Sequence, residues 1–255
     1  MKEKIKEALD ALKLPEIKKI FGEYSEMARK ENMRYEEYLL ELLQAEVEVR
    51  KINRIDRMIK DSKLPLEKNI KTFDRKRLPV KLNNQISVLL DGSFIDRKEN
   101  VLAFGTPGGG KTHLLCALGQ ELIYKNKKIL FKPCNLLVQE LLIAKKELRL
   151  AKILKHISKY DALIIDDIGY VQQNRDEMEV LFILLADRYE RSSIMITSNL
   201  AFSEWGKIFK DPMTTAAAID RLVHHSVILD MNLTSYRLEA AKTKKEKGGK
   251  KLKDN

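Results

Sequence analysis

Gly105-Thr106-Pro107-Gly108-Gly109-Gly110-Lys111-Thr112 decides the fold of this 255-residue chain. The apolar run Val101-Leu102-Ala103-Phe104 precedes it, and Leu114, Leu115, Ala117, Leu118 and Leu122 follow at helical spacing. A glycine-rich turn between a buried strand and a helix start points successive backbone N–H groups into one concavity. Such a concavity suits phosphate, because glycine permits positive φ and close backbone approach. In the pattern G-x-x-x-x-G-K-T the lysine reaches the terminal phosphates and the hydroxyl completes the shell of a Mg²⁺ ion. Gly105, Thr106, Pro107, Gly108, Gly109, Gly110, Lys111 and Thr112, with His113 after them, are therefore the candidate contacts to a nucleotide.

Downstream, Asp161-Ala162-Leu163-Ile164-Ile165 reads as a strand covered on both faces, ending in Asp166-Asp167. Carboxylates at the carboxyl end of a strand project into the ligand crevice of an open α/β sheet. Asp166 is the candidate Mg²⁺ partner beside Thr112, and Asp167 is placed to polarise an attacking water. A further strand, Ser193-Ile194-Met195-Ile196-Thr197, ends in Ser198-Asn199. Alone, that tip reads as turn chemistry; after an acidic strand, Asn199 becomes a candidate to hold the water or a γ-phosphate oxygen.

The order of these pieces resembles the AAA+ ATPases, in the branch of DnaC-type helicase loaders and IstB-type transposition ATPases. The similarity runs from about Phe73 to Arg237. It includes Phe94–Leu102 ahead of the loop, Ile165–Tyr170, Arg188-Tyr189-Glu190-Arg191 and Glu204-Trp205-Gly206. Asp211-Pro212, Asp220-Arg221-Leu222-Val223-His224-His225 and Ser235-Tyr236-Arg237 complete it. The IstB-type group is the better match. The resemblance implies that Arg221 is an arginine finger for a neighbouring subunit's γ-phosphate and that Arg237 is a second sensor arginine contacting nucleotide. A guanidinium suits both roles, being always charged and forked toward phosphate oxygens. Two departures stand out. Gly109 replaces the threonine that the family's loop often carries, and Asp167 stands where AAA+ proteins at large carry glutamate. The shorter carboxylate is set back by about 1.5 Å, which predicts a slow, stimulated ATPase.

The resemblance implies an ATP-dependent regulator of transposition. Such a protein oligomerises on double-stranded DNA with ATP and Mg²⁺ between subunits, assists a transposase and is released by hydrolysis. A helicase loader with a replicative helicase as partner is the alternative reading. A small-molecule kinase would need an acceptor pocket and an arginine-rich lid, neither of which the sequence displays. A non-hydrolysing ATP-binding scaffold is favoured only by Asp167.

The net charge of +11 is segregated. Residues 50–81 hold 12 basic and 4 acidic residues, 145–159 hold 6 and 1, and 242–255 hold 7 and 2. The rest of the chain is net −7. Basicity concentrated in this way favours a polyanion, and duplex DNA is the natural one. Arg50, Lys51, Arg54 and Arg57 are candidate contacts from the first run. In the resembling branch, the second run carries an extra helix facing DNA, which adds Lys145, Lys146, Arg149, Lys152 and Lys155. For the tail, disorder and DNA contact are both open.

No apolar run approaches the roughly 18 residues of a membrane span, and Met1-Lys2-Glu3-Lys4 lacks the apolar core of a secretory signal, so a cytoplasmic protein is expected. Cys116 and Cys134 fit neither a disulfide framework nor a zinc pattern. His224-His225 lacks a nearby third ligand in sequence, leaving Mg²⁺ as the one metal expected.

The amino-terminal region reads as helices near Ile5–Leu12, Ile17–Lys30 and from Tyr35 onward. In the last, Tyr35, Tyr38, Leu42, Ala45, Val49 and Ile52 form a stripe that Leu39 and Leu43 widen. Glu36, Glu37, Glu41, Glu46 and Glu48 fall on the other faces. Strands at 101–104, 128–132, 161–165, 193–197 and 226–229 alternate with helices. The fold expected is α/β, a P-loop AAA+ parallel sheet wrapped by helices, with a small N-terminal helical domain. By resemblance the fourth strand lies between the first and third. The divisions expected are a helical domain and basic linker over 1–70, the ATPase domain over 71–241 and a basic, disordered tail over 242–255. The short stretch after Arg237 leaves no room for a full carboxy-terminal lid, so a neighbour carrying Arg221 would close the pocket.

Overall fold

The computed structural model of the chain describes residues 1–170, 175–201, 204–205 and 212–236. Two compact units result, Met1–Met58 and Ile59–Asn255.

The first unit is helical: α1 (Lys2–Ala11), α2 (Pro15–Lys30) and most of α3 (Tyr35–Ser62). Its core is small, with Ile17, Phe21 and Leu42 buried and Leu9, Leu14, Ile20, Tyr24 and Tyr38 packed around them. The stripe read along α3 is narrower than expected. Leu42 is buried, while Tyr35, Leu39, Leu43 and Ile52 are exposed. Glu46, expected on another face, points inward and is only 3% exposed. The reason is α2, whose first amides have no partner within their own helix. Glu46 Oε2 accepts from Glu16 N at 2.8 Å and Ile17 N at 3.1 Å, while Arg50 Nε donates to Oε1 at 2.8 Å. Burial pushes this carboxyl's pKa upward, but the amides and Arg50 outweigh it and hold it below the usual glutamate value.

The second unit is built on a parallel sheet of β1 (Asn100–Phe104), β2 (Ile129–Pro133), β3 (Ala162–Asp166), β4 (Ser193–Ser198) and β5 (Ser226–Asp230). The spatial order is β2-β3-β4-β1-β5, so the fourth strand separates the first from the third as expected. Helices α4 (Val80–Asp91), α5 (Ser93–Asp96), α6 (Lys111–Tyr124), α7 (Cys134–Lys146), α8 (Leu150–Ile157), α9 (Arg175–Arg188) and α10 (Pro212–Val223) flank and connect the strands. Strands β1, β3 and β4 are buried along almost their whole length, which explains why they read as continuous apolar runs rather than alternating ones. α6 is buried nearly all round for the same reason. Trp205 lies wholly in this core, with its ring centroid 6.1 Å from that of Phe104.

Arg188, one of the residues in the family-like segments, has an architectural position. It is 1% exposed, and its guanidinium donates to Ile157 O at 3.0 Å, Tyr160 O at 3.1 Å and Ser193 O at 3.0 Å. It therefore ties the end of α8, the approach to β3 and the start of β4 to the end of α9. Burial lowers its pKa to about 10, which still leaves it charged at neutral pH. Replacing it with methionine keeps volume but strips three carbonyls of their donor. Arg188→Met is expected to cost about 2–4 kcal/mol, read by urea unfolding of the full chain.

Candidate functional site

The phosphate loop joins β1 to α6, and its backbone follows from its glycines. Gly108 and Gly110 adopt φ values of +82° and +93°, and Gly110 is the N-cap that starts α6 at Lys111. The segment 231–236, following β5, lies directly against this loop. Met231 N donates to Phe104 O, Tyr236 N donates to Gly108 O at 3.1 Å, and Thr106 Oγ1 donates to Leu233 O at 2.7 Å. A Cβ on Gly105 would stand 2.1 Å from Met231 O, and one on Gly109 2.7 Å from the same atom. The glycine that departs from the family pattern thus has a local cause: the returning chain occupies the space a side chain would need.

Behind the loop, three side chains and one backbone amide converge through two hydroxyls. Asp166 Oδ1, at the end of β3, accepts from Thr112 Oγ1 and from Thr197 Oγ1, each at 2.7 Å. Thr197 Oγ1 in turn accepts from Asp167 N at 2.7 Å. Thr197 was not among the candidates read from sequence. Its role follows from strand register: Ile165 pairs with Ile196, so the next residue of β4 stands beside Asp166. The threonine at that strand end is the one signal the sequence offered.

Asp167 has φ +64°, a left-handed conformation rare outside glycine, asparagine and aspartate. Its Oδ1 is buried with no hydrogen-bond partner among the described residues, and so is Oδ1 of Asn199. Both residues line one cavity of about 480 Å³ together with the phosphate loop, Thr112, His113 and Thr197. Burial, and secondarily the Asp166 carboxylate, raise the Asp167 pKa above the usual aspartate value, partly offset by Lys111. Two buried acceptors facing a cavity present a place for a hydrogen-bond donor such as water. Gly169 is required beside them, since a Cβ there would lie 2.0 Å from Asn199 Oδ1. Lys111 is 8% exposed, and its ammonium donates to Gly105 O at 2.7 Å and Thr106 O at 3.0 Å.

The cavity's other wall was not foreseen. Residues 67–78, read as basic linker, supply Lys68, Phe73 and Arg77 to it. They are fastened down. His113 Nε2 lies 3.1 Å from both Thr72 Oγ1 and Asn69 O, and Gln120 donates to Pro65 O and Lys68 O. Arg75 is directed inward as well, donating to the Asn83 side chain and carbonyl and to Ser87.

Arg221 stands elsewhere. α10 delivers it toward the start of β5, into a small hollow shared with Asn100 at the start of β1. That is the opposite end of the sheet from the phosphate loop, since β1's five residues at about 3.3 Å each separate the two ends by about 16 Å. Its guanidinium sits 4.6 Å from the Phe182 ring centroid, and Nη1 is buried with no hydrogen-bond partner among the described residues. Arg237 and the tail lie outside the described residues. Of the candidate DNA contacts, Arg50 holds Glu46 and donates to Lys13 O, and Arg57 bonds Asn53 O. Lys51 pairs with Glu48, Lys145 with Glu179 and Arg149 with Glu147. Lys146 ends α7, and Arg54, Lys152 and Lys155 are exposed.

The donor set fits Mg²⁺ and a triphosphate. Thr112 and Asp166 provide hard oxygens in contact with each other, and the buried lysine and helix start face the same cavity.

Two substitutions test the geometry. Gly109→Ala should force the 231–236 segment away from the loop and cost about 1–3 kcal/mol, visible as a lower melting temperature. Asp167→Asn should raise the melting temperature at pH 7. The carboxyl's raised folded pKa means that its ionised form burdens the fold, a burden that builds as pH rises from the unfolded value of 3.8 through the folded value. The gain should therefore shrink as pH is lowered toward 4; a pH-independent gain would place the effect elsewhere.

The sequence matches the IstB-like ATP binding protein family over residues 7–245. It is 41% identical to a Geobacillus stearothermophilus protein named as an ATP-binding protein of insertion sequence IS5376, across 97% of this chain and 98% of that one. It is 39% identical to a Pseudomonas aeruginosa protein named likewise for insertion sequence IS21, across 84% and 81%. Among solved structures, the DnaC helicase loader superposes with a TM-score of 0.55 at 19% identity, over 64% of this chain and 96% of that one. An AMPPCP-bound DnaA from Aquifex aeolicus gives 0.54 at 15%, over 67% and 51%. At such identities these two establish the fold alone, a P-loop α/β sheet of the AAA+ kind. By the match along nearly its whole length, the chain belongs to the IstB-like ATP binding protein family of insertion sequences.

Proposed function

We propose that this protein is an ATPase that regulates transposition: ATP assembles copies of it along duplex DNA for a transposase, and hydrolysis releases them. The observation that carries the reading is the placement of Arg221 and Asp166 at opposite ends of one parallel sheet. With the length of β1, about 16 Å, between the two edges of the sheet, this guanidinium does not touch the nucleotide bound at its own phosphate loop. It can reach one held by a neighbouring copy from the hollow it lines at the amino-terminal edge of the sheet.

ATP supplies the phosphoryl group for transfer to water, and a Mg²⁺ ion bound there would neutralise its oxygens. The chain's own part is positioning. The loop amides and Lys111 orient the phosphates, with the ammonium exchanging the carbonyls of Gly105 and Thr106 for phosphate oxygens. Thr112 and Asp166 would hold the metal, while Thr197 fixes the Asp166 carboxylate through its Oδ1 and the Asp167 backbone through its amide. Asp167 Oδ1 accepts the proton from water, and Asn199 Oδ1 orients that water by accepting its second hydrogen. An aspartate in this role acts at longer reach than a glutamate, which suits a slow timer rather than a fast motor. Exposed Arg54, Lys152 and Lys155 supply phosphate contacts that need no base sequence. The relatives' association with insertion sequences supports a transposase as the protein partner over a replicative helicase.

Steady-state hydrolysis with and without duplex DNA, at low and moderate salt and with Lys111→Ala as blank, tests this directly. Turnover should rise with DNA and fall with salt; indifference to DNA would remove the DNA-assembly part of the reading. Arg221→Ala should lower turnover on the order of 100-fold or more and weaken ATP-dependent assembly, while leaving nucleotide binding by the monomer intact.

A further inference from the structure

Two family-like segments that the nucleotide site does not use meet at the amino-terminal edge of the sheet. The turn after α9 carries Tyr189 and Glu190, and the turn between α10 and β5 carries His224 and His225. Glu190, His224 and His225 each present one ligand atom, all within 4.8 Å of one another and all exposed. The two imidazoles stand with centroids 4.2 Å apart, and the Tyr189 hydroxyl lies 3.2 Å from His224 Nδ1. Glu190 is turned toward them by a left-handed backbone, φ +58°. The third ligand that the sequence around His224-His225 lacks is thus delivered by a turn more than thirty residues upstream.

We infer that Glu190, His224 and His225 form a binding site for a divalent transition ion of the Zn²⁺ class. Two neutral imidazoles and a carboxylate are the donor set of such ions, whereas Mg²⁺ prefers an all-oxygen shell. Tetrahedral bonds of about 2.0 Å require donors about 3.3 Å apart, so from a spread of 4.8 Å these side chains need to close by at most about 1.5 Å, within the reach of exposed rotamers. In the tautomer with the proton on Nδ1, His224 would donate to the Tyr189 oxygen and leave Nε2 free to ligate, the outer support a metal-bound histidine ordinarily has. Nearby Arg97 is neutralised by a two-pronged pair with Glu99, which limits the repulsion an incoming cation meets. Lys98 and Arg221 share the hollow with Glu190 and His225, which keeps the affinity moderate. A bound ion would staple the α9 turn to the α10 turn three residues beyond Arg221, and so fix the segment that presents that arginine.

The other histidines compete little. His113 is engaged with Thr72 and Asn69, His156 stands against Tyr160, and both cysteines are buried. The test is titration of the full chain, without nucleotide, by Co²⁺ followed in visible absorption and by Zn²⁺ in calorimetry. One ion per chain is expected, with the absorption of a low-coordinate nitrogen and oxygen site. The double variant His224→Ala/His225→Ala should abolish that signal, and Glu190→Gln should weaken binding on the order of 10- to 100-fold. All three residues are exposed, so the variants are expected to keep the wild-type circular dichroism and melting temperature in metal-free buffer. Absence of saturable binding up to about 1 mM ion, or binding retained in the double variant, overturns the assignment.

Discussion

One carboxylate oxygen organises the site. Asp166 Oδ1 receives the hydroxyls of Thr112 and Thr197, joining the first turn of α6 to the ends of β3 and β4. Three elements distant in sequence are thereby held in one register, and the Asp167 amide follows through Thr197. A hydrogen bond to a charged acceptor in a partly buried place contributes about 1.5–3 kcal/mol, more than most neutral contacts. The same oxygen that organises the fold here is the one a divalent cation would take up. Metal binding at Asp166, as proposed, would therefore be coupled to local order: a cation arriving at that oxygen would compete with two hydroxyl donors.

The phosphate loop is constrained from outside as well as from within. Its glycines read in sequence as an accommodation to phosphate, yet Gly105 and Gly109 are also forced by the Met231 carbonyl, and Gly108 by Ser235. The segment 231–236 is linked to the loop by Tyr236 N and Thr106 Oγ1, and to the residue 67–78 wall by Arg77, which donates to Thr234 and lies over the Tyr236 ring. A displacement of the loop is thus transmitted both to the linker and to the chain following β5.

Much of this was legible in the sequence, for physical reasons. Strands buried on both faces leave uninterrupted apolar runs, and a phosphate loop must be written in glycine, lysine and threonine; hence all five strands and the residues from Gly105 to Thr112 could be placed. What was hidden depends on register or on distant partners. Thr197 matters because of what β3 places beside it, and nothing local distinguishes it from a strand residue. Glu46 looked like one of several surface glutamates on α3 until the bare amides of α2 gave it a reason to turn inward. The 67–78 wall was masked by its charge, since lysines and arginines that bond carbonyls within the unit read the same as those that meet a polyanion.

The separation of Arg221 from Asp166 across the sheet gives the molecule a polarity. A contact from the amino-terminal edge of one copy to the carboxyl-terminal edge of the next is head-to-tail by construction, so it closes only if the rotation between copies returns on itself. In an open row, the last nucleotide site has no neighbour's arginine and one arginine has no site. Completed sites number one fewer than the copies, which makes a short row proportionally poor in competent centres and a long one rich. In the assembly proposed above, length itself would become the regulated variable. In that proposed row, the copy whose site lacks a neighbour's arginine would be the one to hydrolyse last.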